Sequence, residues 1–153
     1  MDITKAKQLI LDRASKVNSA FTLDKHNTKV AIQLLMYFTG HPDFEKEVDP
    51  KTGKNYSFSK GIYLRGTYGT GKTWLMDLFA NHDGIENMRN GFYMNSCLKI
   101  SHNFNLNGRD TLEPYFNDKR CFDDLGAEEI PSVYYGDKCN VMYSIIMQRH
   151  LEF

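Results

Sequence analysis

The sequence lacks the cysteine patterns, histidine patterns and long apolar stretches that are typical of secreted, zinc-binding or membrane-spanning proteins. Its three cysteines, Cys97, Cys121 and Cys139, lie far apart without a CxxC spacing, and its five histidines form no zinc-binding pattern. No uninterrupted apolar stretch approaches the length of a signal-peptide core or a membrane span. We therefore expect reduced cysteines that bind no metal, a cytoplasmic location and no membrane partner.

The chain also lacks net charge, because 19 basic residues balance 19 acidic ones. No overall field draws such a molecule onto nucleic acid, so any DNA contact must be local. The lysines and Arg13 near the N-terminus could supply one. Single-stranded binding normally adds exposed aromatic side chains, however, so we interpret these charges as a solvated helix face.

Two amphipathic helices are predicted at the start of the chain. Residues 3 to 17 carry apolar side chains at helical spacing. We expect Asp24 to be the N-cap of a second helix, which Gly40 and Pro42 would end. The apolar stripe of this helix contains Val30, Leu34, Tyr37 and Phe38. We interpret Met36, Tyr37 and Phe38 as core, with the binding of a partner helix as the alternative.

The rest of the chain predicts an α/β fold. Turn chemistry from Asp49 to Gly53 marks a connector. The β-prone runs are 61–65, 91–96 and 120–123, and the helical patterns are 73–79, 98–104 and 138–153. Strands that alternate with helices favour a parallel sheet flanked by helices. We expect a helical appendage at 1–45, a connector at 46–59 and a nucleotide-binding core at 60–153.

That core begins with a phosphate-binding motif. The run Gly66–Thr73 matches GxxxxGK[ST] at every fixed position, between a predicted strand and a predicted helix. Its glycines let backbone N–H groups curl around a phosphate, and the helix N-terminus adds a favourable dipole. Lys72 would neutralise β- and γ-phosphate oxygens, and Thr73 would offer its hydroxyl to Mg²⁺. A fortuitous Gly-Lys-Thr turn is the alternative.

The sequence thus predicts that the chain binds ATP, or a related nucleoside triphosphate, together with Mg²⁺. The residues expected to bind the nucleotide are Gly66, Thr67, Tyr68, Gly69, Thr70, Gly71, Lys72, Thr73 and Trp74. Lys72 is also expected to act in catalysis.

An acidic pair follows the predicted third strand, where a Walker B motif belongs. Asp123 would hold the Mg²⁺ shell, and Asp124 would orient and deprotonate the attacking water. The alternative is a polar strand end followed by a turn, since Asp and Gly are common there.

With both motifs in place, the runs KGIYLRGTYGTGKTWLM and CFDDLGAEE resemble the DnaC/DnaI type of bacterial helicase-loader ATPase, close to the IstB-like transposition helpers. The resemblance covers residues 60 to 150. It implies an AAA+ P-loop NTPase fold, ATP hydrolysis, a homo-oligomer with ATP at subunit interfaces, and a partner such as a replicative helicase or a recombinase. Asn95 matches the family's polar switch residue, although Asn is also common in turns.

The sequence also departs from that family, which continues with a sensor strand, an arginine finger and a helical lid. We therefore expect the C-terminal part of the usual fold to be missing, so that the chain is a fragment or folds differently. Arg149 could replace the finger, although its place on a helix face favours packing or solvation. Without a finger the chain should bind ATP better than it hydrolyses it. The alternatives are a catalytically idle nucleotide-binding module and a small-molecule phosphotransferase.

Overall fold

The computed structural model describes residues 2–17, 21–80 and 91–151, and the chain divides into two units, Met1–Gly91 and Phe92–Phe153. The first contains α1 (Ile3–Val17), α2 (Thr28–Thr39), a 3₁₀ helix at Phe44–Lys46, and α3 (Lys72–Asp77). The second contains β1 (Tyr93–Ser96), α4 (Cys97–Asn107), a 3₁₀ helix at Arg109–Tyr115, β2 (Arg120–Asp123), β3 (Ser132–Tyr134), β4 (Asp137–Cys139) and α5 (Val141–Leu151). The fold is therefore mixed α/β, while the predicted boundaries at 45 and 59 stay a prediction.

The first predicted helix is confirmed as α1, which packs on α2. Its spacing places Ala6, Ile10 and Ala14 on one face, and all three are buried. The small alanines allow close approach of the helices, and lysines occupy the solvent face. The core interpretation of the second helix also holds, because Met36 and Phe38 are buried.

The end of α2 is confirmed, but its predicted start is wrong. Gly40 adopts a left-handed conformation with φ 67°, and the His41 N–H donates to the Met36 carbonyl at 2.8 Å, which forms a Schellman motif. Asp24 does not cap the helix. Its carboxylate accepts the N–H groups of His26 and Asn27 in a turn that precedes α2, and these bonds lower the pKa of Asp24. Asn27 occupies the N-cap position.

The turn predicted from Asp49 to Gly53 is confirmed. The Gly53 N–H donates to the Asp49 carbonyl at 2.9 Å, and Val48 forms a β-bridge with Asn55. The chain then returns toward an aromatic cluster at the end of α2. The rings of this cluster belong to Tyr37, Phe38, Phe44, Tyr56, Phe58 and Phe79.

The strand predicted at 61–65 is not formed. Residues 61–67 are irregular, and Tyr63 is 79% exposed. A β-prone run becomes a strand only when a neighbour completes its hydrogen-bond ladder, and no strand of the described residues pairs with it. The helix after the loop does form, but α3 ends at Asp77, two residues before the predicted end.

The second unit contains a parallel pair of strands. The predicted strand at 120–123 is confirmed as β2, and it pairs with β1 in a register that places Tyr93 opposite Arg120 and Ser96 opposite Asp123. The predicted helix at 98–104 lies within α4, which forms the start of the crossover between the two strands. The carboxyl ends of both strands therefore meet at one edge of the sheet.

A hairpin follows that the sequence analysis missed. Strands β3 and β4 pair antiparallel, and Tyr135 and Gly136 between them have positive φ, as a type I′ turn requires. Because 137–139 belong to β4, the last helix begins at Val141 and not at the predicted residue 138. Asn140 immediately precedes this helix, and its side-chain oxygen accepts the Tyr143 N–H, as an N-cap does.

The second unit has a hydrophobic core between α4, α5 and the hairpin. Its buried members are Cys97, Ile100, Phe104, Leu112, Cys139, Val141, Met142 and Ile145. Gly108 ends α4 at φ 78°, and a Cβ there would lie 2.7 Å from the ring of Tyr134. Only glycine allows the hairpin to pack this closely on the helix end.

All three cysteines are free, as expected. Within 2–17, 21–80 and 91–151, no helix combines the length and the apolar character that a membrane span requires.

Candidate functional site

The phosphate-loop motif lies along an open groove of the first unit, with a volume of about 740 Å³. Of the predicted nucleotide-binding residues, Gly66, Thr67, Gly69, Thr70, Gly71, Lys72 and Trp74 line it. Tyr68 and Thr73 are not among the lining residues, and Tyr68 is fully exposed at the loop tip. The structure thus brings most of the predicted residues to one surface.

Glycines give the loop its path. Gly69 and Gly71 have φ of 75° and 78°, a region that side-chain-bearing residues rarely adopt. At Gly66, a Cβ would lie 3.1 Å from the Thr70 Oγ1, so a side chain would crowd the loop from within. The Thr70 hydroxyl donates to the Thr67 carbonyl at 2.9 Å and closes the turn.

Lys72 turns back into the same loop. Its Nζ donates to the Thr67 carbonyl at 2.9 Å, so the ammonium group lies over the backbone that would surround a phosphate. The helix behind it, α3, has only six residues, and its dipole is therefore small. If an anion binds here, the Lys72 charge and the loop N–H groups would supply more of the attraction than the dipole of this short helix.

Further lining of the groove comes from the segment that precedes α2, which sequence reasoning did not assign to the site. Its lining residues are Phe21, Thr22, Asp24, His26 and Asn27, and Val30 of α2 also lines the groove. The Phe21 ring stacks on Trp74 with centroids 5.4 Å apart and planes at 15°. The Asn27 amide donates to the Thr22 carbonyl at 2.9 Å and stiffens this wall. The sequence offered one sign of this role, namely Phe21 as an aromatic residue in a short, mostly polar stretch between the two predicted helices.

The acidic pair lies in the second unit, at the carboxyl ends of β1 and β2. Asp123 lines a cavity of about 320 Å³ together with Asn95, Ser96 and Lys99. Asn95 therefore shares the Asp123 cavity, and its side-chain oxygen accepts from Arg120 Nη1 at 3.3 Å. Its predicted switch role stays a prediction.

Asp124 is exposed in the turn that follows β2, with φ 54°. The Ala127 N–H donates to its carbonyl at 3.0 Å, which holds the backbone in this left-handed conformation. Its carboxylate is thus presented to solvent beside the strand end.

A buried thiol lies close to these carboxylates. Burial, followed by the charges of Glu128 and Asp123, raises the pKa of the Cys97 thiol to about 12. The neutral thiol therefore persists at physiological pH and serves as core.

Arg149 is held within its own unit. Its guanidinium donates to the carbonyls of four consecutive residues and lies 5.8 Å from the ring centre of Phe122. The accepting carbonyls belong to Tyr115, Phe116, Asn117 and Asp118, at 2.6 to 3.0 Å. Of the packing and solvated roles that the sequence favoured, packing fits this geometry, because the arginine anchors the segment that leads into β2.

The residues near Asp123 fit Mg²⁺ by donor chemistry. A carboxylate, a hydroxyl and an amide oxygen are hard oxygen ligands, and Mg²⁺ is usually held by one or two carboxylates together with phosphates and water. In the part of the chain that the structure describes, no group of three or more His, Cys, Asp or Glu could hold a metal by itself. Phosphate oxygens and water would complete the Mg²⁺ shell.

Comparisons of the chain with protein-family models, curated proteins and solved structures find no match.

Proposed function

We propose that this protein binds Mg²⁺ and a nucleoside triphosphate, ATP foremost, on the groove beside Gly66–Thr73. The observation that carries the proposal is the groove itself. It combines a glycine-rich loop, a lysine directed into that loop and a stacked aromatic pair. The glycine-rich loop and Lys72 suit phosphates, and the aromatic pair suits a base.

ATP hydrolysis is the proposed use of the bound nucleotide. Asp124 would act as general base for the attacking water, Asp123 and Thr73 would hold Mg²⁺, and Lys72 would stabilise charge on the transferred phosphoryl group. Mg²⁺ supplies charge neutralisation and orientation of the phosphates when it is bound. The loop and the acidic pair belong to different units of the chain, so their joint action is part of the proposal.

The biological role that we propose is that of a helicase-loader-like or mobile-element helper of the AAA+ type, which acts as a homo-oligomer on a protein partner such as a replicative helicase or a recombinase. The support for this role is the resemblance of the two motif-bearing runs. DNA contact stays a weaker expectation, since the chain carries no net positive charge.

A catalytically idle nucleotide-binding module is the second candidate, and one observation favours it. Arg149 is bound to four backbone carbonyls, so it is not available as a finger without loss of those bonds. Such a module would bind ATP without appreciable turnover.

Trp74 makes the binding proposal directly testable, because it is the sole tryptophan and lies in the groove. We expect its fluorescence to change saturably with ATP in the presence of Mg²⁺, and tripolyphosphate to compete. AMP, which lacks the β- and γ-phosphates, should bind far more weakly. Equal responses to ATP and AMP would contradict phosphate recognition by the loop.

A further inference from the structure

Glu128 is a buried carboxylate that the proposed hydrolysis does not use. Its residue is 8% exposed, and its Oε2 accepts the N–H of Gly126 at 2.7 Å. Burial of a carboxylate is costly unless it is hydrogen-bonded, so this contact offsets part of the cost of the buried position. The bond closes the turn that begins at Asp124.

The same turn sets where Asp124 lies. Asp124 and Gly126 both have positive φ, 54° and 97°, and the Ala127 N–H bonds to the Asp124 carbonyl. Aspartate tolerates the left-handed region better than most side-chain-bearing residues, but the conformation still has a cost that the bonds of the turn offset. The Glu128 carboxylate supplies part of the restraint on the turn, because it accepts the Gly126 N–H within the turn.

Glu128 is itself attached to a stable support. The Asn105 side chain of α4 donates to Glu129 at 3.0 Å and accepts the Val133 N–H at 2.7 Å. The hydroxyls of Ser101 and Ser132 meet at 2.6 Å in a buried contact. These bonds anchor residues 129–133 to α4, so Glu128 reaches the turn from an anchored segment.

We infer that Glu128 is a positioning residue, which holds the Asp124–Gly126 turn so that Asp124 presents its carboxylate in one place. The inference rests on the proposed function, in which Asp124 is the general base. Glu128 touches neither the nucleotide nor the attacking water in this role. Its effect reaches the reaction only through the Gly126 N–H and the backbone of the turn.

The test compares Glu128→Ala with Glu128→Gln, because glutamine keeps an oxygen that can accept the Gly126 N–H. The matched control is Glu113→Ala, which removes an exposed carboxylate of the same unit. We expect hydrogen exchange of the Gly126 amide, followed by NMR, to be about tenfold faster in Glu128→Ala, which corresponds to the loss of one hydrogen bond to a charged group. Glu128→Gln and the control should stay within about threefold of the unchanged protein.

Steady-state kinetics supply the second readout. Glu128→Ala should lower kcat for ATP about tenfold or more with KM nearly unchanged, and Glu128→Gln should restore most of the activity. A Gly126 amide that exchanges equally fast in all variants would overturn the inference, and so would an unchanged kcat in Glu128→Ala. If the unchanged protein hydrolyses no ATP, the proposed hydrolysis fails, whereas amide exchange still decides whether Glu128 holds the turn.

Discussion

The Lys72 ammonium group donates a hydrogen bond of 2.9 Å to the carbonyl oxygen of Thr67, within the loop that we propose binds phosphate. The lysine therefore already lies above the turn, and a phosphate oxygen would replace a single carbonyl as its acceptor. Exchange of a neutral acceptor for an anionic one strengthens the hydrogen bond. This contact explains how the loop can be ordered before a ligand arrives.

Asp124 should affect the rate of ATP hydrolysis and not the affinity for ATP. We expect Asp124→Asn to lower the rate of ATP hydrolysis by about a hundredfold or more, since loss of a general base typically has this effect. The dissociation constant for ATP should change by less than about threefold, because Asp124 is not placed among the groove residues. A phosphate-release assay beside a binding titration checks both; unchanged hydrolysis would remove Asp124 from the mechanism.

The stacked pair of Phe21 and Trp74 should recognise the base. Phe21→Ala removes the ring that stacks on Trp74 and should weaken ATP binding by about five- to fiftyfold, the range that loss of one stacking contact gives. Tripolyphosphate has no base and serves as the control ligand. Its affinity should be the same for both proteins, as calorimetry can measure. Equal weakening of both ligands would mean that Phe21 supports the loop.

Arg149 should contribute more to stability than an exposed arginine of the same unit. Arg149→Met removes the donor to four carbonyls but keeps an apolar stem against Phe122. We expect the free energy of unfolding to fall by about 2 kcal/mol. Arg109→Met breaks an exposed ion pair with Asp137 and should cost less than about 1 kcal/mol.

Urea unfolding followed by circular dichroism measures both arginine variants. Equal costs would show that the carbonyl contacts of Arg149 contribute no special stability, and would return the residue to the list of groups available for catalysis.

The buried thiol of Cys97 should make stability depend on alkaline pH. Burial raises its pKa in the folded protein to about 12 from an ordinary value of 9.0. A raised folded-state pKa contributes stability that is complete below pH 9 and is lost as pH rises toward 12. Between pH 8 and pH 10, the free energy of unfolding should fall by about 1 kcal/mol more in the unchanged protein than in Cys97→Ala. Urea unfolding at the two pH values measures this difference. Equal losses would show that other groups cause the dependence.

Elements with a clear local pattern could be predicted from the sequence. The helical spacing of Ala6, Ile10 and Ala14 predicted α1, and the β-prone run that ends at Asp123 predicted β2. In both cases the signal lies within the element itself. The hairpin was missed because its strands have three residues each and its turn, Tyr135–Gly136, lacks the usual Asn-Gly or Asp-Gly signal.

Two of the remaining misses, the unformed strand at 61–65 and the role of Phe21, depend on residues that are distant in the sequence. Residues 61–65 have β propensity, but a strand also requires a neighbour. The motif identified the loop residues, since their roles lie in the loop itself. Phe21 lies outside the motif, because it acts by stacking on Trp74. Glu128 lies within the run CFDDLGAEE, but the run does not reveal its hydrogen bond to the Gly126 N–H.

The most direct test of nucleotide binding on this loop is calorimetry with Mg²⁺ and ATP on the unchanged protein and on Lys72→Ala. The matched control is Lys54→Ala, an exposed lysine of the same unit outside the groove. We predict saturable binding that Lys72→Ala weakens by about tenfold to a hundredfold and that Lys54→Ala leaves unchanged, as expected for one charge-assisted bond to phosphate. Equal affinity in all three proteins, or no binding by the unchanged one, would contradict the account.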